Sequence, residues 1–271
     1  MPELPEVEKV VQGLKALTQD QPQILRIRLH RKDLRVPFPK GLAKVLAQQT
    51  LRSVQRRAKY ILFETDDYFL INHLGMTGSW RSDKTQKKHD HYEMELSSGL
   101  RLVFNDPRRF GIMLLEKKAN LSNNKWLKNL GVEPLDVHKF TAEYLWSGLR
   151  HRKTPIKSAI MDQHLVVGVG NIYASEVLYL AGVKPQRLAG QVTQVEAKGI
   201  TEAIRKVLHQ AIAHGGSTIR NYTNAEGKSG QFQDLLKVYE RAGEACPRCG
   251  DKIKSAVIGG RSSYWCGRCQ K

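Results

Sequence analysis

Apolar side chains near the N-terminus fall at Val7, Val10, Val11, Leu14 and Leu17, the three-and-four spacing of one helix face. Pro5 sits where a first turn tolerates it, and Glu6 and Glu8 lie at the positive end of the helix dipole, so a helix is predicted here. The period then changes. Leu25, Ile27 and Leu29 alternate with Arg26, Arg28 and His30, and "KYILFE", "YFLINHL", "HYEMELSSGLRLVF" and "GIMLLE" are short strand-like runs separated by turn residues. Residues 1–135 therefore read as a β-rich domain behind a leading helix. After "GVEPLD", with Gly131 and Pro134, helical spacing takes over from Phe140. The clearest helix keeps Val195, Ile200, Ile204, Val207, Leu208, Ala211 and Ile212 on one apolar face and ends before Gly215 and Gly216. The polar stretch "STIRNYTNAEGKSGQF" at 217–232 is expected to be a mobile loop.

The four cysteines, Cys246, Cys249, Cys266 and Cys269, form two Cys-x2-Cys pairs separated by sixteen residues. That spacing suits a closed tetrahedral zinc site, and four thiolates leave no open position, so the metal is expected to be structural. Two disulfides are the alternative, disfavoured in a reducing compartment. Between the pairs, "IKSAVIGGRSSYW" reads as a hairpin turning at Gly259 and Gly260, with Arg261 near its tip. From Arg241 onward there are seven Lys or Arg and two acids, so this finger is expected to meet phosphate or a DNA groove. A solvated surface arginine is the other reading of Arg261.

Across the chain, 44 Lys and Arg face 26 Asp and Glu, a formal charge of +18. A polyanionic partner follows, and because basic residues recur from Arg26 to Lys271 instead of crowding one amphipathic segment, nucleic acid fits better than a membrane surface. No apolar run approaches the roughly 20 residues that span a bilayer, and the start lacks the features of a signal peptide. A cytosolic protein is expected, or a nuclear one if the source is eukaryotic.

Against that basic background the opening "MPELPEVEKV" places acids where they need a reason. Loss of Met1 would make Pro2 a terminal secondary amine. An α-amino group titrates near ~7.7–8.0 and a lysine near ~10.4, so at neutral pH far more of the terminal amine is unprotonated and nucleophilic. Attack on a sugar carbon would give an iminium, an electron sink that favours elimination, with Glu3 and Glu6 as proton-transfer partners. A capped helix start is the other reading of the same residues.

The chain resembles the formamidopyrimidine-DNA glycosylase family along essentially its whole length. The matching motifs are "PELPEVE", "RRAKY" around Lys59, "NHLGMTG" around Met76, "KHDH" ending at His91, "DPRRFG" from Asp106, "VGVGNIYASE" from Val167, "GGSTIRNY" from Gly215, and the finger. The resemblance implies an α+β fold: an N-terminal β-sandwich-like domain with a leading helix (1–135), a helix-two-turn-helix domain (136–240) and a four-cysteine β-hairpin zinc finger (241–271). It implies a bifunctional glycosylase and abasic-site lyase of base excision repair. Such an enzyme removes 8-oxoguanine and formamidopyrimidines from duplex DNA through a Pro2 Schiff base, then cuts by β,δ-elimination. Glu3 would be the acid/base, Glu6 its support, and Lys59 a group beside the lesion and its phosphates.

Met76, Arg108 and Phe110 would fill the gap left by the extruded nucleotide. His73, His91, Arg109, Asn171 and Arg261 would contact DNA, and Lys157 would lie near the damaged base. Ser217, Thr218, Ile219, Arg220 and Tyr222 would belong to the segment covering the flipped lesion. One structural Zn2+, a monomer acting on duplex DNA with oxidised purines or abasic sites, no membrane, and a bacterial cytoplasmic, nucleoid-associated location complete the expectation. Without the resemblance, Met76 and Phe110 read as core residues and Arg108 as a solvated charge.

Rival readings remain. Endonuclease VIII-like glycosylases of oxidised pyrimidines typically begin "PEGPE", and Leu4 here favours the purine branch. "HYE" from His91 with a later Cys-x2-Cys resembles a zinc deaminase, but Ala245 precedes Cys246 where that pattern has proline. A non-catalytic DNA-damage or architectural binder would share every feature except the chemistry at Pro2.

Overall fold

The computed structural model describes residues 1–83, 85–217 and 230–271. The chain divides into two compact units, Met1–Lys128 with His214–Gln231, and Asn129–Ala213 with Phe232–Lys271.

The first unit opens with α1 (Leu4–Leu17), which buries Leu4, Val7, Val10, Val11 and Leu14. Each such burial is worth roughly 1.5–3 kcal/mol, so the amphipathic stripe holds the helix in place. After β1 (Ile24–Leu29) and the short α2 (Leu42–Leu46) come β2 (Ser53–Arg57), β3 (Tyr60–Glu64), β4 (Tyr68–His73), β5 (Ser79–Arg81), β6 (Asp90–Leu96), β7 (Arg101–Asn105) and β8 (Ile112–Lys117). They pair antiparallel as two four-stranded sheets, β1-β6-β7-β5 and β2-β3-β4-β8. Val54, Ile61, Phe63 and Leu70 of one sheet share a core with Ile27, Trp80, Tyr92 and Phe104 of the other, the sandwich arrangement. Trp80 is its centre, with ring centroids of Phe63, Phe104 and Tyr92 at 5.0, 5.4 and 5.8 Å and its indole N–H donating to Asn72 Oδ1 at 2.9 Å.

The second unit holds α3 (Ala142–Leu149), α4 (Ile156–Ile160), α5 (Asn171–Ala181), α6 (Gln194–Ala213) and the hairpin β9 (Ile253–Ile258) and β10 (Arg261–Cys266). Thr141 caps α3, and α5 runs from Gly170 to a left-handed Gly182 at φ 74°. Along α6 the predicted apolar face is buried from Ile200 to Ala211, but Val195 is 81% exposed. Val195 sits in the first turn, ahead of the packed stripe. The buried Glu176 of α5 accepts the amides of Lys237, Val238 and Tyr239 at 2.9, 3.0 and 2.9 Å. That anchors the chain entering the hairpin.

Candidate active site

α1 starts with a reciprocal cap: the Glu3 side chain accepts the Glu6 amide, and Glu6 Oε2 accepts the Glu3 amide at 2.8 Å. Carboxylates serve both ends of this capping box, and the positive end of the helix favours them there. Glu3 and Glu6 are buried, Pro2 is buried beside them, and Met1 is 56% exposed. The capped start and the chemical reading therefore use the same residues. The cap fixes the Glu3 main chain one residue from the Pro2 nitrogen.

Lys59 lies at the tip of the β2–β3 hairpin, in a two-residue turn between the paired Arg57 and Tyr60. Ala58, the first turn residue, is left-handed at φ 53°. The Arg56 guanidinium ties this tip to α1, donating to Glu8 Oε2 at 2.7 Å and to the Ala58 carbonyl at 3.0 Å. Lys59 is itself buried. Its charge acts on His73, which pairs with Tyr60 across β3 and β4 and packs edge-on to its ring at 5.0 Å. Burial, then the positive charges of Lys59 and Arg35, push the His73 pKa down to about 4. Nδ1 accepts the Gly75 amide at 3.0 Å, so the neutral ring carries its proton on Nε2, a donor suited to an anionic oxygen.

Two loops meet around Asp106, which is fully buried. Thr77 donates its hydroxyl to Asp106 Oδ1 at 2.5 Å, the Gly111 amide donates to Oδ2 at 2.7 Å, and the Arg108 amide donates to Thr77 Oγ1 at 3.2 Å. Gly75 has no room for a side chain: at φ +68° its Cβ would lie 2.4 Å from the Phe110 carbonyl carbon. Locked this way, the loops leave Met76 39% and Phe110 42% exposed, with the Arg108 guanidinium over the Phe110 ring at 4.7 Å. Held out on this polar scaffold, the two large apolar side chains are surface groups and not the core residues that their type alone would predict. Arg109 is exposed beside them in a left-handed conformation, φ 57°.

His91 is buried and donates Nε2–H to the Asp106 carbonyl at 2.9 Å. Burial holds its pKa below the ordinary range, opposed by that bond. It braces the loop that carries Asp106, and it belongs to no metal-holding group among the described residues, so the deaminase reading finds no support.

In the second unit the four cysteine sulfurs all lie within 4.8 Å of one another, with Cys246–Cys269 at 3.8 Å and Cys249–Cys266 at 3.5 Å. A disulfide needs about 2.05 Å; a zinc tetrahedron with bonds of about 2.3 Å has edges of about 3.8 Å. The donors fit one structural zinc. The Arg248 and Cys269 amides, each 3.4 Å from a sulfur, and the Tyr179 hydroxyl, 3.4 Å from Cys246 Sγ, complete the surroundings.

The finger is joined to the helices through Lys157. This side chain is buried, and its ammonium donates to Asn171 Oδ1 at 2.7 Å, the Ser262 carbonyl at 2.9 Å and Ser263 Oγ at 2.8 Å. Asn171 adds Nδ2–H to the Ser262 carbonyl at 3.0 Å. Lys157 thus sits inside the joint behind Asn171 and β10, and Arg261, exposed at the start of β10, follows the left-handed Gly259 and Gly260. Replacing Lys157 with methionine removes three hydrogen bonds from this buried joint and should cost about 2–4 kcal/mol. A thermal midpoint equal to that of the native protein would show that Asn171 holds the strand alone.

Asp106, Thr77, Arg56, Glu8 and Ser263 are structural partners that the sequence reading did not assign. Of the lesion-segment residues, Ser217 is described and Thr218, Ile219, Arg220 and Tyr222 lie outside the described residues.

Residues 1–113 match the formamidopyrimidine-DNA glycosylase N-terminal domain, 130–223 the formamidopyrimidine-DNA glycosylase H2TH domain, and 243–271 the zinc finger found in FPG and IleRS. The formamidopyrimidine-DNA glycosylase of Bdellovibrio bacteriovorus is 45% identical over 273 residues, and that of Thioalkalivibrio sulfidiphilus 45% over 275, each match covering both chains fully. The Lactococcus lactis Fpg in complex with DNA containing an abasic site has a TM-score of 0.91 at 34% identity, covering 99% of each chain. The same protein with FAPY-dG containing DNA gives 0.90 at 33%, covering 99% of this chain and all of the other.

Proposed function

The chain belongs to the formamidopyrimidine-DNA glycosylase family, DNA glycosylases of base excision repair, and from that premise we propose that it excises oxidised purines from duplex DNA and then cuts the backbone as a lyase, with Pro2 the nucleophile of both steps. The observation that carries this reading is the doubly acidic cap, which holds a buried Glu3 next to Pro2 in a strongly basic chain.

The chemistry follows from the amine. Once Met1 is removed, the Pro2 nitrogen attacks C1′ of the damaged nucleotide and the C1′–N bond breaks, the base leaving with the electron pair and taking up a proton. Opening of the sugar ring, with Glu3 delivering a proton to the ring oxygen, gives an iminium at C1′. The iminium acidifies C2′–H; loss of that proton expels the 3′ phosphate, and a second elimination expels the 5′ phosphate. Hydrolysis then frees the amine and leaves a one-nucleotide gap. Lys59 is placed beside the lesion and its phosphates, and His73 donates Nε2–H to a phosphate oxygen.

Extruding the nucleotide costs a few kcal/mol, and Met76, Arg108 and Phe110 offset this by occupying the vacated stack, the guanidinium facing the orphaned base. Asn171 and Arg261 take phosphates, Lys157 and His91 act through the residues they hold, and zinc, held by the four cysteines, keeps the hairpin folded. The protein works as a monomer in the nucleoid-containing cytoplasm.

The test is a duplex with a single 8-oxoguanine opposite cytosine. Release of the free base together with a gap bearing phosphate at both ends supports the reading, whereas tight binding with neither product favours a damage-binding protein. For Arg261→Ala, weaker binding across all sequences is expected, with the slope of log K against log salt shallower by about one unit. An unchanged slope would place Arg261 off the phosphates.

A further inference from the structure

The residues on either side of Met76 each touch the loop that carries Arg108 and Phe110. Gly75 lies against its backbone, where a Cβ would stand 2.4 Å from the Phe110 carbonyl carbon. Thr77 makes the second contact. Its hydroxyl accepts the Arg108 amide at 3.2 Å, 31 positions away, and donates to Asp106 Oδ1 at 2.5 Å.

The turn from Asp106 to Arg109 explains why Thr77 is needed. The Arg109 amide closes that turn on the Asp106 carbonyl at 3.2 Å, Pro107 has no N–H, and the Asp106 amide donates to the His89 carbonyl at 3.0 Å. Within the turn, the Arg108 amide is the donor left over, and Thr77 takes it from the other loop. A hydroxyl can accept from one group while donating to another, which an aliphatic side chain cannot do. With the guanidinium of Arg108 over the Phe110 ring at 4.7 Å, holding the Arg108 main chain also sets that stacked pair relative to Met76.

We propose that Thr77 is a positioning residue whose hydroxyl fixes the Arg108 main chain against the Met76 turn, so that the two loops present Met76 and the Arg108–Phe110 pair as one rigid unit. The inference rests on the excision reading above, in which these three side chains occupy the stack vacated by the extruded nucleotide. Thr77 itself touches neither the sugar nor the base. It acts through Arg108 and Asp106.

Thr77→Val keeps the outline of the side chain and removes both bonds, whereas Thr77→Ser keeps the hydroxyl. Each is compared with native protein, all shown by intact mass to lack Met1, under single turnover on two duplexes, one with 8-oxoguanine opposite cytosine and one with a preformed abasic site. Thr77→Val is expected to slow base excision by about 10- to 50-fold and abasic-site cutting by no more than about threefold, because only the first must unstack a paired base. With pyrrolocytosine opposite the lesion, the fluorescence rise that reports extrusion should slow by the same factor as excision. Thr77→Ser should stay within about twofold of native in all three assays.

Equal losses on the two duplexes would overturn the proposal, because Thr77 would then serve the fold of the unit alone. Native rates in Thr77→Val, or a Thr77→Ser protein as slow as Thr77→Val, would overturn it as well. Should Thr77→Val not fold, amide exchange in native protein decides: Arg108 is exposed, so slow exchange of its amide supports the link and exchange at the rate of a free peptide overturns it. Native protein that acts on neither duplex would defeat the excision reading instead, and exchange at the Arg108 amide would then judge the link alone.

Discussion

Protein that keeps Met1 is expected to bind a duplex carrying 8-oxoguanine and leave it uncut, with cleavage lowered on the order of a thousandfold or more. Acylated by Met1, the Pro2 nitrogen is an amide, its lone pair is delocalised, and no iminium can form. The terminal amine moves to Met1, which is 56% exposed, while Pro2 lies buried beside Glu3 and Glu6. Little else changes. The cap that starts α1 uses the Glu3 and Glu6 amides and carboxylates, none of which involve Met1. Binding should therefore survive while chemistry fails. The check is intact mass alongside single-turnover cutting, and efficient nicking by molecules that all carry Met1 would defeat the role given to Pro2.

The second large effect is expected at the finger. Cys249→Ser should empty the zinc site, because three thiolates and a hydroxyl bind the metal far more weakly, and structural zinc contributes about 10–16 kcal/mol to folding in isolated fingers. Apart from the Lys157 and Asn171 bonds to β10, the hairpin has a small apolar footing: along β9, Lys254, Ser255, Ala256 and Val257 are all exposed, and the packed cluster beside it is Tyr179, Val238, Cys246, Ile253 and Cys266. Without metal, Arg261 loses its place next to Ser262 and Asn171, and duplex affinity should fall on the order of a hundredfold. Metal content and titration binding on the same preparation check this. Full-strength binding by zinc-free protein would make the finger dispensable.

Legibility in the sequence followed chain separation. The leading helix, the strands β1, β3, β4, β6, β7 and β8 and the Cys-x2-Cys pairs are local patterns, and each could be read within a few residues. β2 could not: in "SVQRR" only Val54 is buried, and the strand exists because β3 pairs with it. β5 is three residues long and depends on Trp80 reaching the sandwich core. The exposure of Met76 and Phe110 has no pattern in the sequence, because both are of a residue type that usually packs inside. Their exposure is imposed by Asp106, through hydrogen bonds to Thr77 and Gly111 that have no periodic signature. Lys157 was placed near the damaged base, yet its ammonium bonds to Ser262 and Ser263, over a hundred positions away.

The central claim is that Pro2 forms the covalent bond to the sugar, and borohydride trapping tests it most directly. The protein, shown by intact mass to lack Met1, is mixed with a duplex carrying one 8-oxoguanine opposite cytosine and reduced during turnover, so that any iminium becomes a stable amine. Peptide mapping of the crosslinked species should then place the DNA on the N-terminal peptide, at Pro2. An adduct on Lys59 or another lysine, or bound lesion DNA with no adduct and no strand break, would contradict it.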